Sequence, residues 1–129
     1  MTREELIEYI SSQYNADAEY PWMTSPKNAV FRHIGNKKWF AIIMDIPRSK
    51  LGLDSDEEIS IADFKCDTIL ISTLIQENGI YPAYHMNKEH WIIVALDGSC
   101  ADEKIKWLLD RSFELTAPKV KGKNKQASK

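Results

Sequence analysis

The stretch from Gly79 to Gly98 constrains this chain most. It holds two runs rich in aromatic and β-branched residues, Ile80–Met86 and His90–Leu96, separated by the polar pair Asn87 and Lys88. Such runs around a short polar pair predict a β-hairpin. A two-residue turn sets Met86 opposite Glu89, His85 opposite His90 and Tyr84 opposite Trp91; a longer loop shifts each pair by one.

The segments on either side supply further strands and the helices to cover them. Thr2 and Glu5 have the spacing of a capping box, and Leu6, Ile7, Ile10 and Tyr14 follow at helical intervals, so a helix is expected from about Thr2 to Tyr14. Pro21 keeps the next segment extended, with Trp22 and Met23 expected in the core. Ala29–Ile46 reads as two strands around a turn at Gly35-Asn36. Strict alternation puts Phe40, Ile42, Met44 and Ile46 on one face and Trp39, Ala41, Ile43 and Asp45 on the other. Glu57–Cys66 reads as a third strand, with a bulge near Ala62 to reconcile Ile59, Ile61, Ala62 and Phe64.

Asp67 is placed to cap a helix carrying Leu70, Ile71, Leu74 and Ile75, which Gly79 ends in left-handed geometry. The hairpin follows. Ser99 and Asp102 then suit another cap, for a helix with Ile105, Leu108, Leu109, Ser112 and Phe113 inward that ends near Thr116 before Pro118. The resulting order, α-β(3)-α-β(2)-α, predicts an α+β fold, a two-layer α/β sandwich with helices on one face of an antiparallel five-stranded sheet.

Charge divides the chain. Its net value is −2. The five lysines of residues 118–129 carry +5 and the body, residues 1–117, carries −7. The expected organisation is one domain over 1–117 and a disordered lysine-rich tail over 118–129. An acidic body disfavours indiscriminate phosphate binding, so a nucleic-acid contact needs a local basic face. Between Tyr20 and Met44 there is no acid, while Lys27, Arg32, Lys37 and Lys38 are basic. No apolar run is long enough to span a bilayer, and the charged start lacks the apolar region of a signal peptide, so the expectation is a cytoplasmic protein without a membrane partner. Cys66 and Cys100 follow no metal-ligand spacing and point to reduced thiols.

The segment Pro82-Ala83-Tyr84-His85-Met86-Asn87-Lys88-Glu89-His90-Trp91 resembles the MmcQ/YjbR family. The resemblance extends to Phe64-Lys65-Cys66-Asp67 before it, Leu96-Asp97-Gly98-Ser99 after it, and Tyr20-Pro21-Trp22 near the start. It spans roughly residues 1 to 117. It implies a secretion-chaperone-like or CyaY-like fold with strand order 1-2-3-5-4, and DNA binding through two hairpin "wings". That order brings both hairpin turns to the same end of the sheet, toward opposite edges.

The site residues expected on this basis are Arg32, Lys37, Lys38, His85, Asn87, Lys88 and His90. The lysines would meet phosphates, and Asn87 or Arg32 would reach base edges. Solvated hairpin tips are also polar for ordinary reasons. His85 and His90 as a cross-strand pair lack a third ligand, so no metal and no cofactor are expected. Nucleotide-binding and hydrolase motifs are missing, and neither cysteine has a base with an orienting third group, so the expectation is a non-enzymatic protein. The alternative partner is a protein segment held on the helix-free face of the sheet, where Trp39, Ile43 and one side of the second hairpin would supply apolar contacts.

Overall fold

The computed structural model describes residues 1–118, so the tail expected over 118–129 lies, apart from Pro118, outside the described residues. Helix α1 (Arg3–Tyr14) begins with the expected reciprocal capping box, in which Glu5 N donates to Thr2 Oγ1 at 3.1 Å and Thr2 N to the Glu5 carboxylate at 2.8 Å. Its residues Leu6 and Ile10 are fully buried. Five strands follow, β1 (Ala29–Arg32), β2 (Trp39–Pro47), β3 (Glu58–Lys65), β4 (Ile80–Pro82) and β5 (Trp91–Ala95), with helices α2 (Thr68–Leu74) and α3 (Asp102–Thr116). They form one antiparallel sheet in the order β1-β2-β3-β5-β4.

One core lies between the sheet and the three helices. There Leu6, Ile10, Ile71, Leu74, Ile105, Leu108 and Leu109 meet Ala41, Ile43, Ala62, Phe64, Ile92 and Val94. A smaller cluster sits on the opposite face, where Ile46, Ile59, Ile61, Ile93 and Ala95 are covered by Leu51, Ala83 and Met86. The helix-free face is therefore largely sealed by the chain's own loops.

Several local expectations change, each for a visible reason. Trp39 and Phe40 do not keep the alternation, because the β1–β2 register slips between Phe31 and Arg32, and Arg32 pairs with Trp39 while Phe31 pairs with Ala41. The extra residue, Phe40, turns under the helices and stacks edge-on against Phe113, with ring centroids 4.9 Å apart. Ala41 and Ile43 lie beneath the helices as well, whereas Trp39 and Met44 pack with the helix-free cluster. The bulge expected near Ala62 is absent: β3 pairs without a slip from Phe64 to Glu58, and it is apolar on both faces because both are covered. Met23 is 96% exposed and not core.

The Asp67 carboxylate does not cap α2. It receives Arg111 Nε at 2.7 Å and Nη2 at 2.8 Å, joining the end of β3 to α3. Ala101 precedes α3 without a side-chain cap, and Ser99 bonds to Asp97 instead. Gly79 does adopt the left-handed conformation, with φ 80°, and a Cβ there would stand 2.6 Å from Ser99 Oγ and 2.8 Å from Cys100 N. Both cysteines are free and buried.

The central hairpin is shorter in strand and longer in loop than its composition predicts. β4 ends at Pro82, leaving residues 83–90 as the connection. Ile80 pairs with Val94, Tyr81 with Ile93 and Pro82 with Ile92, which is the register one residue away from that of a tight Asn87-Lys88 turn. The loop uses its freed residues to cross the helix-free face. No helix among the described residues is long and apolar enough to cross a membrane.

Candidate functional site

Because β2 and β5 both run antiparallel to β3, the β1–β2 turn and the 83–90 loop lie at the same end of the sheet, as the strand order requires. Strands lie about 4.8 Å apart, so two hairpins centred three spacings from one another stand about 14 Å apart. Lys37, Lys38 and Lys88 are exposed on these turns. None of the three has an acidic partner among the described residues.

The first turn, around Ile34–Asn36, is fixed from below. Asn36 donates to Thr116 O at 2.9 Å while its side-chain oxygen accepts from Lys38 N at 3.0 Å, and Lys37 takes a left-handed φ of 64°. His33, which the sequence reading did not single out, is buried, with Nε2 2.9 Å from both Phe113 O and Thr116 Oγ1. Burial lowers its pKa. Arg32 faces Glu19, its Nε 3.1 Å from each carboxylate oxygen, and so begins from an ion pair.

The second turn is held differently. Asn87 Oδ1 accepts from Glu89 N at 2.8 Å, which leaves its amide N–H groups for a ligand. His90 does not face His85. Its Nδ1 lies 3.0 Å from Thr68 Oγ1, whose single proton is donated to Glu89 O at 2.8 Å. The Thr68 oxygen is then free to accept, which favours the Nδ1–H tautomer of His90.

His85 turns inward. Its Nε2 stands 2.8 Å from Oδ2 of Asp63, a fully buried residue in the middle of β3 between Ile42 of β2 and Ile93 of β5. The contact lies within ion-pair distance but outside hydrogen-bond alignment, and among the described residues neither carboxylate oxygen has a hydrogen-bond partner. Burial pushes the Asp63 carboxyl up, against the pull of His85. Contact with Asp63 raises the His85 pKa, with burial opposing. The imidazole borders a pocket of about 290 Å3 that Trp22, Trp39, Ile42, Met44 and Met86 also line. The sequence reading missed Asp63. Its signal was an acid inside the apolar run Ile59–Phe64, where a strand buried on both faces has no place for one.

Three helices on one face of an open five-stranded antiparallel sheet, with two turns at one end and loops over much of the opposite face, define the class of this molecule. A family model described as YjbR matches residues 11–115. The chain is 39% identical over 116 residues to the uncharacterized protein YyaQ of Bacillus subtilis, covering 90% of this chain and 98% of that one. It is 44% identical over 39 residues to the uncharacterized protein YjbR of Escherichia coli, covering 30% of this chain and 33% of that one. A crystal structure of a Pseudomonas syringae protein superposes with a TM-score of 0.89 at 44% identity, over 91% of this chain and all of that one. A Deinococcus radiodurans protein with a DUF419 domain shares the fold, with a TM-score of 0.65 at 24% identity, over 88% of this chain and 77% of that one. This chain belongs to the YjbR family.

Proposed function

We propose that this chain is a non-enzymatic nucleic-acid-binding protein that grips the phosphate backbone with its two turns. The observation that carries the reading is the sheet order, which sets Lys37 and Lys38 on one turn and Lys88 on the other at the same end. Their separation of about 14 Å is close to the ~12 Å width of the major groove, so each turn suits one phosphate wall. Asn87 keeps free amide donors at the tip, while Arg32 and His85 engage acids and His90 engages Thr68. The contact set is thus narrower than the basic composition of these segments. A partner-holding role for the helix-free face has less support, because Ile61, Ile93 and Ala95 have no exposed surface there.

The test uses a chain shortened to residues 1–118, because the lysines beyond would bind phosphate by the same physics. Each neutralised phosphate contributes about −0.9 to the slope of log affinity against log salt on duplex DNA, so changing Lys37, Lys38 and Lys88 together to Gln should flatten the slope by two to three units, roughly, and weaken binding to all sequences. If the unmutated 1–118 chain shows no salt-dependent binding to duplex or single-stranded DNA at low ionic strength, the reading fails.

A further inference from the structure

The Asp63–His85 pair has no part in phosphate binding, yet it occupies a place where an apolar side chain would pack without penalty. A buried carboxylate has about four acceptor positions, and here a single poorly aligned contact meets them. Replacing such buried pairs by apolar residues is often neutral or stabilising, so stability alone does not explain this one. What Asp63 does accomplish is to fix the imidazole: Nε2 is committed to the carboxylate, and Nδ1 is the remaining polar atom of the ring.

The surroundings of the ring define what that atom would meet. The indoles of Trp22 and Trp39 stand edge to face, with centroids 5.7 Å apart and planes at 84°, and the thioethers of Met44 and Met86 with Ile42 complete an apolar recess. Indole faces and thioethers are polarizable surfaces that favour flat π-systems. Ser25 and Asn28 add hydrogen-bonding groups beside it. At about 290 Å3 the recess lies just below the ~300–1,000 Å3 typical of small-molecule sites, room for one ring system. Contact with Asp63 favours the doubly protonated ring, in which Nδ1 donates, and the matching ligand group is then an acceptor.

We propose that this recess takes a single planar heteroaromatic ring with a hydrogen-bond acceptor on its edge, the chemistry of a nucleobase, face-on to one of the indoles of Trp22 and Trp39, edge-on to the other, and bonded to His85 Nδ1. The ring has two sources, a free base or nucleoside, or an unpaired base of single-stranded nucleic acid whose backbone passes the lysines. Met86 is two residues from Lys88 and Trp39 follows Lys38, so the recess and the lysines share both turns. Only the second source rests on the nucleic-acid reading above.

The groups facing His85 are Asp63 from β3 and Tyr84 from its own loop, whose ring lies edge-on at 4.7 Å. The other elements around it present the uncharged Trp22, Ser25, Asn28, Ile42 and Met44. Binding should therefore follow one titration, strong while His85 carries both protons and weaker as pH rises and Nδ1 turns from donor to acceptor.

Isothermal calorimetry on the full chain tests the proposal with adenosine, guanosine, cytidine and uridine, and with a ten-nucleotide single strand against its duplex. At least one nucleoside should bind saturably. His85→Gln and Trp22→Leu should each weaken it tenfold or more with the far-UV dichroism of the parent, and the Lys37, Lys38, Lys88 triple Gln variant should leave it unchanged. Nucleoside binding without strand binding upholds the recess and removes the nucleic-acid source. Absence of saturable binding by all four nucleosides overturns the proposal, as does retention of full affinity in a folded Trp22→Leu or His85→Gln chain. Salt-dependent duplex binding surviving either result would leave the turn-end reading standing without the recess.

Discussion

Replacing His85 by Ala removes the one basic group that, among the described residues, pairs with a fully buried carboxylate, and the direction of the effect follows from proton counting. In the parent both pKa values are raised, Asp63 by burial against the pull of His85 and His85 by contact with Asp63, so the folded pair binds at least as many protons as the unfolded chain and stability does not rise with pH on its account. Above about 6.5 the unfolded His loses its proton while the folded one, its pKa raised by contact with Asp63, keeps it. That stabilising contribution is complete below 6.5 and fades as pH climbs through the folded value.

In the variant the pull of His85 is gone and burial alone acts on Asp63, so its pKa rises further above the value of about 3.9 at which the unfolded carboxyl ionises. Stability then falls as pH rises above about 4, by at most about 1.4 kcal/mol per unit while the folded carboxyl keeps its proton. The gap between parent and variant should widen from pH 5 to pH 7, toward the ~3–5 kcal/mol for orphaning a buried charge. Urea unfolding at half-unit steps from pH 4.5 to 8 measures it. A gap under about 1 kcal/mol at pH 7 that does not shrink at pH 5 would refute the reasoning. Asp63→Val combined with His85→Leu should recover most of the loss and abolish the slope.

Other consequences are more local. Leu74→Ala on α2 should cost about 2–5 kcal/mol in chemical denaturation, since Leu74 is 5% exposed; a value below half of one would place it outside the core. Ser112 Oγ donates to Phe40 O at 2.6 Å and accepts from Lys65 N at 2.8 Å, both beside the slipped register of β2, so Ser112→Ala should cost about 1–3 kcal/mol per group orphaned and speed amide exchange at Lys65. Gly79→Ala should lower the melting temperature beyond the ordinary cost of a positive φ, because the new methyl meets the Cys100 backbone; an unchanged transition would contradict that close approach.

Helix positions and strand order were legible because they rest on long periodic signals and on the family motif. The stripes of α1 and α3 and the capping box at Thr2 stand where spacing placed them. Face assignment in β2 failed at one residue. A bulge leaves no mark in an apolar run, so alternation counted from Phe40 put Ile43 on the wrong side. The hairpin loop failed because His85 and Met86 have strand-like composition for another reason, namely that they border the sheet's second face rather than extend it, while Tyr84 is exposed. The acid that meets His85 is remote in sequence, and pairing across three strands is a tertiary fact that neither motif nor period encodes.

The sheet ends on both sides in strands that offer little to a neighbour. Outside β1, Glu19 exchanges both backbone hydrogen bonds with Val30, at 2.8 and 2.9 Å, and β4 is three residues long and closes on Pro82, which has no N–H. Among the described residues an incoming extended segment therefore finds no row of free edge amides long enough to extend the sheet. Whatever this molecule meets, it must read with side chains, and crowding many copies together should leave them as separate sheets.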